Sequence, residues 1–216
     1  MKTAITSKHT RLEILLLLSS LSVAAMLLML LLTEPDEYKS NVLQESYQIK
    51  GAISENDWNV LHNETLFLQD KWVNGSGLYK WFLSKLMPEK DTEWDGVIGS
   101  TFQERLAING QILAYQIALR IMMFKYWLFV SLPLCLALIY GSVNRHKANA
   151  YRFGGAKPNL VRLYIKIIWV SFCLFTFFML APNFVGGVLP YFPFIYLIGI
   201  ALLISGIIRN FHKGTS

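Results

Sequence analysis

Cysteine is almost absent from this chain: its 216 residues include two, Cys135 and Cys173, each inside an apolar run. That excludes a small secreted domain stapled by disulfides, and no disulfide is expected. Histidine is as sparse, with His9, His62, His146 and His212 scattered so that no two share a helical metal-binding spacing, and a metal site is therefore not expected. Charge is thin too, at 16% of residues against 54% hydrophobic, with a mean hydropathy of +0.39. A soluble domain carries about 25% charged residues, so a free globular enzyme and a disordered tail are both excluded. No G-x-S-x-G elbow and no G-x-x-x-x-G-K-[ST] loop occurs. Gly154-Gly155-Ala156-Lys157-Pro158 lacks the spacing and the hydroxyl of a phosphate loop and reads as a turn. Asp91, Glu93 and Asp95 alternate as in a calcium loop, but no glutamate closes the loop at the required distance. The chain is read as non-enzymatic, with no catalytic residue, no metal and no cofactor.

What the sequence does contain is long uncharged runs. Residues 12–32 are nearly all Leu, Ile, Val, Met and Ala, preceded by Lys2, Lys8 and Arg11. A hydrocarbon core of about 30 Å takes about 20 helical residues, and a secretory h-region is shorter, so this run is expected to be an uncleaved anchor. A second run, Tyr126 to Val143, carries Pro133, which in a spanning helix implies a kink rather than a break. After it, residues 163–208 supply two further helices, separated by Pro182-Asn183 and a Gly186, Gly187 and Pro190 turn. The expected fold is an all-α polytopic membrane protein with four transmembrane helices. From Ile167 to Ile208 there is no Asp, Glu, Lys, Arg or His, and Tyr126 to Val143 is equally bare. An ion-coupled transporter keeps ionisable groups inside its spans, so transport is disfavoured.

Charge between the runs sets an expected orientation. Residues 33–124 hold eight Lys+Arg and thirteen Asp+Glu, a net of −5, whereas Asn144 to Lys166 holds six Lys+Arg and no acid. Basic flanks stay in the cytoplasm. The expected layout is a cytoplasmic N-terminus (1–11), an anchor (12–32), a periplasmic helical segment (33–124), a second span (125–143), a basic cytoplasmic loop (144–162), spans three and four (163–208) and a cytoplasmic tail (209–216). Both termini then lie on the inner face of a bacterial inner membrane.

In the long segment, Ser54-Glu55-Asn56-Asp57 opens a helix in which Trp58, Leu61, Thr65, Leu68 and Trp72 recur at steps of three or four, closed by Asn74-Gly75. A short second helix is expected from Ser76 to Met87-Pro88. Thr101-Phe102-Gln103-Glu104 is a capping-box sequence, after which Phe102, Leu106, Leu113, Ile117 and Ile121 form an apolar face that can run on into the second span. Trp58, Trp72, Trp81 and Trp94 fit either a partner groove or interfacial anchors.

In the basic loop, Arg145, Lys147, Arg152 and Lys157 surround Tyr151 and Phe153. Cations and rings in that order suit an acidic partner, anionic lipid or nucleic acid, although orientation alone also supplies such a loop. Arg145, Lys147, Arg152, Phe153 and Lys157 are the candidate partner-binding residues. Gly141, Gly199, Ser205 and Gly206 are the candidate helix-packing residues, since small side chains let helices approach closely.

Across residues 112 to 213 the order of features resembles that of a family of inner-membrane proteins encoded among the transfer genes of conjugative plasmids and integrative conjugative elements. The features are Arg120, Ser131-Leu132-Pro133, Gly141, a basic turn at Arg145, Arg152-Phe153-Gly154, two apolar blocks parted by Pro182-Asn183, and basic residues at Arg209 and Lys213. The first half is similar in architecture only, an anchor followed by a Trp-containing periplasmic segment with Trp72, Gly77 and Trp81, and Asn144 stands where the family has an acidic residue. The resemblance implies a non-enzymatic component of conjugative DNA transfer (type IV secretion), a partner of the coupling ATPase or of the secretion channel, with homo-oligomers and direct nucleic-acid contact left open. The competing expectations are a membrane-active defence or exclusion effector and a small pore or channel.

Overall fold

The computed structural model describes residues 32–75, 99–149, 158–180 and 186–210, together with Ser20, Ala24, Gly77 and Ser84. The rest of the expected anchor, and Trp81, Trp94, Arg152, Phe153 and Lys157, lie outside the described residues. Five α-helices, a π turn and a 3-10 turn account for nearly all of these residues, and no strand occurs among them.

Helix α1, Pro35–Ala52, starts with proline in its first turn, where the missing N–H is no loss; Asp36 and Glu37 sit at its positive end and Lys50 at its negative end. Helix α2, Glu55–Asp70, is capped by Ser54, whose Oγ accepts from the Asp57 N–H at 3.2 Å and donates to Asp57 Oδ2 at 2.7 Å. Its buried residues are Trp58, Leu61 and Thr65, three members of the stripe that the sequence spacing predicts. A π turn, Lys71–Gly75, closes it.

Helix α3 runs without interruption from Gly99 to Asn149, 51 residues and roughly 76 Å at 1.5 Å per residue. The helix expected from Thr101 onward does continue into the apolar run at Tyr126; of the face expected on it Leu106 is buried but Ile121 is exposed, and the packed side of α3 is instead formed by Ala118, Leu119 and Met123. Pro133 removes the N–H that would bond the Phe129 carbonyl. Helix α4, Pro158–Leu180, returns antiparallel, and after a 3-10 turn, Gly186–Tyr191, helix α5, Phe192–Asn210, runs back beside α3. Among the described residues, three helices are long and apolar enough to cross a membrane, over Arg105–Ala148, Asn159–Leu180 and Leu189–Asn210. Helices overrun the apolar runs at the basic end. Arg145, His146 and Lys147 belong to the last turns of α3, since Arg and Lys are good helix formers in water, and Pro158 opens α4, where its missing N–H is no loss. The apolar runs marked what a bilayer would cover and not where the helices stop.

The core lies at the other end. Ile49 of α1, Trp58 and Leu61 of α2, Leu119 and Met123 of α3 and Leu189 of the 3-10 turn pack together, with Tyr115, Trp127 and Phe178 around them. A smaller cluster, Tyr38 and Val42 against Ile112, Leu113 and Tyr115, extends the α1–α3 seam. Helices α1 and α2 thus form a helical cap on the first half of α3. Further along, aromatic rings fill the bundle: Phe178 stacks on Phe192 with centroids 4.1 Å apart, and Phe175 on Tyr196 at 4.9 Å.

Candidate functional site

Where the cap meets the bundle, a charged pair is enclosed. Arg120 is 1% exposed and Glu45 fully buried. The guanidinium grips the carboxylate with two parallel bonds, Nε to Oε1 at 2.6 Å and Nη2 to Oε2 at 2.8 Å. Gln116 Nε2, one turn back on α3, donates to Glu45 Oε2 at 3.0 Å, and the Tyr38 hydroxyl donates to Gln116 Oε1 at 2.6 Å. Arg120 Nη1 also donates to the carbonyl of Phe178, and its Cζ lies 5.1 Å from the centre of that residue's ring. One side chain therefore joins α1, α3 and the end of α4.

The local sequence explains the placement. Tyr38, Val42, Glu45, Ser46 and Ile49 recur at helical steps and form the buried face of α1. Gln116 and Arg120 are four apart, so they stand one above the other on α3 and meet the same carboxylate. The planar guanidinium suits a bidentate carboxylate and is less strongly hydrated than an ammonium, so Arg tolerates this burial better than Lys. With charge balanced and both carboxylate oxygens occupied, the pair acts as a latch between the cap and the spans.

Burial pushes the Tyr38 hydroxyl well above the ordinary tyrosine range; Arg120 opposes the shift and Glu45 adds to it. A phenol whose value is raised in the fold ionises more readily in the unfolded chain. Its stabilising contribution is complete below about pH 10 and is lost as the pH rises beyond that. Tyr38→Phe is expected to flatten the alkaline decline in stability, followed by thermal denaturation between about pH 9 and 11. Superimposable alkaline curves for the two proteins would remove Tyr38 from the account. Two exposed contacts seat α2 on α3: Lys125 Nζ to Glu64 at 2.8 Å, and the Tyr126 hydroxyl to Asp57 Oδ2 at 3.4 Å.

Of the residues selected from the sequence, Gly141, Arg145, Ser205 and Gly206 come together at the opposite end, whereas Gly199 and Lys147 lie outside that group. Gly141, Ser142, Arg145, Tyr164, Ser205, Gly206 and Arg209 line a cleft of about 380 Å³ between α3, α4 and α5. Ser205 and Gly206 serve packing within the chain. Ser142 and Ser205 hydrogen-bond each other, and both hydroxyls reach the Leu138 carbonyl, at 3.0 and 2.9 Å. A Cβ added at Gly206 would stand 2.9 Å from the Tyr164 ring, whereas one at Gly141 or Gly199 would meet nothing within 4 Å. Arg145 and Lys147 are exposed on the last turns of α3. Among the described residues no group of three or more His, Cys, Asp or Glu is placed to hold a metal ion.

Sequence reasoning missed Glu45, Gln116 and Tyr38, and named Arg120 only as the first feature of the family resemblance. The available signal was an arginine set among Ile117, Ala118, Leu119, Ile121 and Met122. An ionisable group there requires a partner. Comparison with family models finds no match, and searches of curated proteins and of solved structures find none either.

Proposed function

We propose that this protein is a non-enzymatic inner-membrane component of a conjugative DNA transfer system and a partner of its coupling ATPase. One observation carries the mechanical part of the reading. A single 51-residue helix is held at one end by the α1–α2 cap and ends at the other in Arg145, His146 and Lys147. Such a helix would link the two faces of a membrane, which suits assembly more than turnover. The assignment to conjugation rests on the order of features across residues 112 to 213. The charge asymmetry supports a cytoplasmic basic end and a periplasmic cap. A fourth crossing by residues 12–32 would bring both termini to the cytoplasm.

The basic segment from 144 to 166, which includes the end of α3 and the start of α4, is the proposed contact, with Arg145, Lys147, Arg152, Phe153 and Lys157 facing an acidic patch on the partner. The test is a pull-down of the tagged full chain, solubilised in mild detergent from a donor cell carrying its own genetic element. The coupling ATPase is expected in near-stoichiometric amount. Charge reversal at Arg152 and Lys157 is expected to lower its recovery by roughly tenfold, the scale of losing buried interfacial charge pairs. Recovery of the protein alone as a discrete homo-oligomer would overturn this reading in favour of a pore or membrane-active effector.

A further inference from the structure

The chain contains no Asp or Glu after Glu104. Three of its cationic residues on α3 pair with acids of the cap: Arg105 with Glu34, Arg120 with Glu45 and Lys125 with Glu64. Arg145 and Arg209 have no such recourse. They stand on the two sides of the cleft between α3 and α5, roughly 30 Å along α3 from Lys125, and among the described residues neither forms an ion pair. The Ser142 and Ser205 hydroxyls beside them both reach the Leu138 carbonyl. The two guanidinium groups are therefore the charged donors of the cleft lining.

The remaining walls are apolar. Leu138 and Leu202 line the cleft below the arginines, Leu202 is exposed, and Tyr164 closes one side where Gly206 leaves room for its ring. A free anion has no use for such walls. A molecule with a phosphate at one end and acyl chains at the other fits both parts, with the phosphate between two planar five-donor groups and the chains along the leucines. We infer that this cleft binds the headgroup phosphate of an anionic phospholipid from the membrane leaflet at the basic end of the bundle. Basic pockets between transmembrane helices are a recurrent form of lipid headgroup recognition. The inference rests on the three helices crossing a membrane and not on which system the protein serves.

The test is native mass spectrometry of the purified full chain titrated with phosphatidylglycerol, with phosphatidylcholine of the same acyl chains, and with inorganic phosphate. Phosphatidylglycerol is expected to bind at least roughly tenfold more tightly than phosphatidylcholine, and Arg145→Gln/Arg209→Gln is expected to reduce that preference to below about twofold. Lys147→Gln/Arg162→Gln removes the same charge outside the cleft and is expected to keep the preference, with unchanged thermal unfolding for both double variants. Three results would overturn the inference. They are equal binding of the two lipids by the wild-type chain, an equal loss in the control variant, which would mean diffuse surface attraction, and displacement of the lipid by inorganic phosphate, which would mean a free-anion site.

Discussion

Glu45→Ala is expected to destabilise the protein by about 3–5 kcal/mol, because it leaves the Arg120 guanidinium buried without its counter-charge. Arg120→Met strands the carboxylate in the same enclosure, and a loss of similar size is expected. The penalty belongs to the orphaned charge and not to the bond alone, so Glu45→Met/Arg120→Met is expected to recover most of the loss. Exchanging the charges, Glu45→Arg with Arg120→Glu, is expected to fail. The Phe178 carbonyl accepts from Arg120, and a carboxylate in that place offers no donor. Thermal denaturation followed by circular dichroism in mild detergent reads all four variants, with the single changes lowering the midpoint by on the order of 10 °C. Limited proteolysis adds the location, since α1 and α2 should be cut before the spanning helices. A Glu45→Ala protein melting within about 2 °C of wild type would remove the latch from the account.

The helical class, three of the apolar runs and the Ser54 cap follow from hydropathy, period and capping chemistry, each of which depends on neighbours within a turn or two. Helix α1 did not follow, and its residues show why. Two of the five side chains on its buried face, Glu45 and Ser46, are polar, so the apolar stripe of Tyr38, Val42 and Ile49 is interrupted where the structure is most enclosed. The partner that makes Glu45 tolerable lies 75 residues away. Hydropathy scores each residue singly, whereas a buried ion pair exists only as two residues together. The basic cleft was half visible: Gly141, Arg145, Ser205 and Gly206 were chosen for separate reasons, and only the parallel course of α3 and α5 brings them to one place. The small residues also divided by role, with Gly206 fitted under Tyr164 inside the chain and Gly199 left open.

A short thiol cross-linker is expected to join Thr33→Cys to Asn109→Cys nearly completely in intact membranes, in a chain lacking Cys135 and Cys173. The structure seats the Thr33 carbonyl on Asn109 Nδ2 at 3.0 Å, and Glu34 lies beside Arg105. That position sets the level at which α1 begins beside α3. Along α3, Asn109 stands 17 residues before Tyr126, about 25 Å, so the cap is seated on the stretch of α3 that precedes the apolar run. The Glu45 and Arg120 pair depends on that seating, because sliding α1 along α3 would separate the two charges and return the desolvation cost of both. Cleavage of the chain between residues 76 and 98 makes the cross-link visible as fragments that stay together on a denaturing gel. Joined fragments from the Thr33 and Asn109 pair would place the start of α1 at Asn109, the seating that the Glu45 and Arg120 pair requires. Joining of a Thr33→Cys/Tyr126→Cys pair instead would move α1 along α3 and refute the latch.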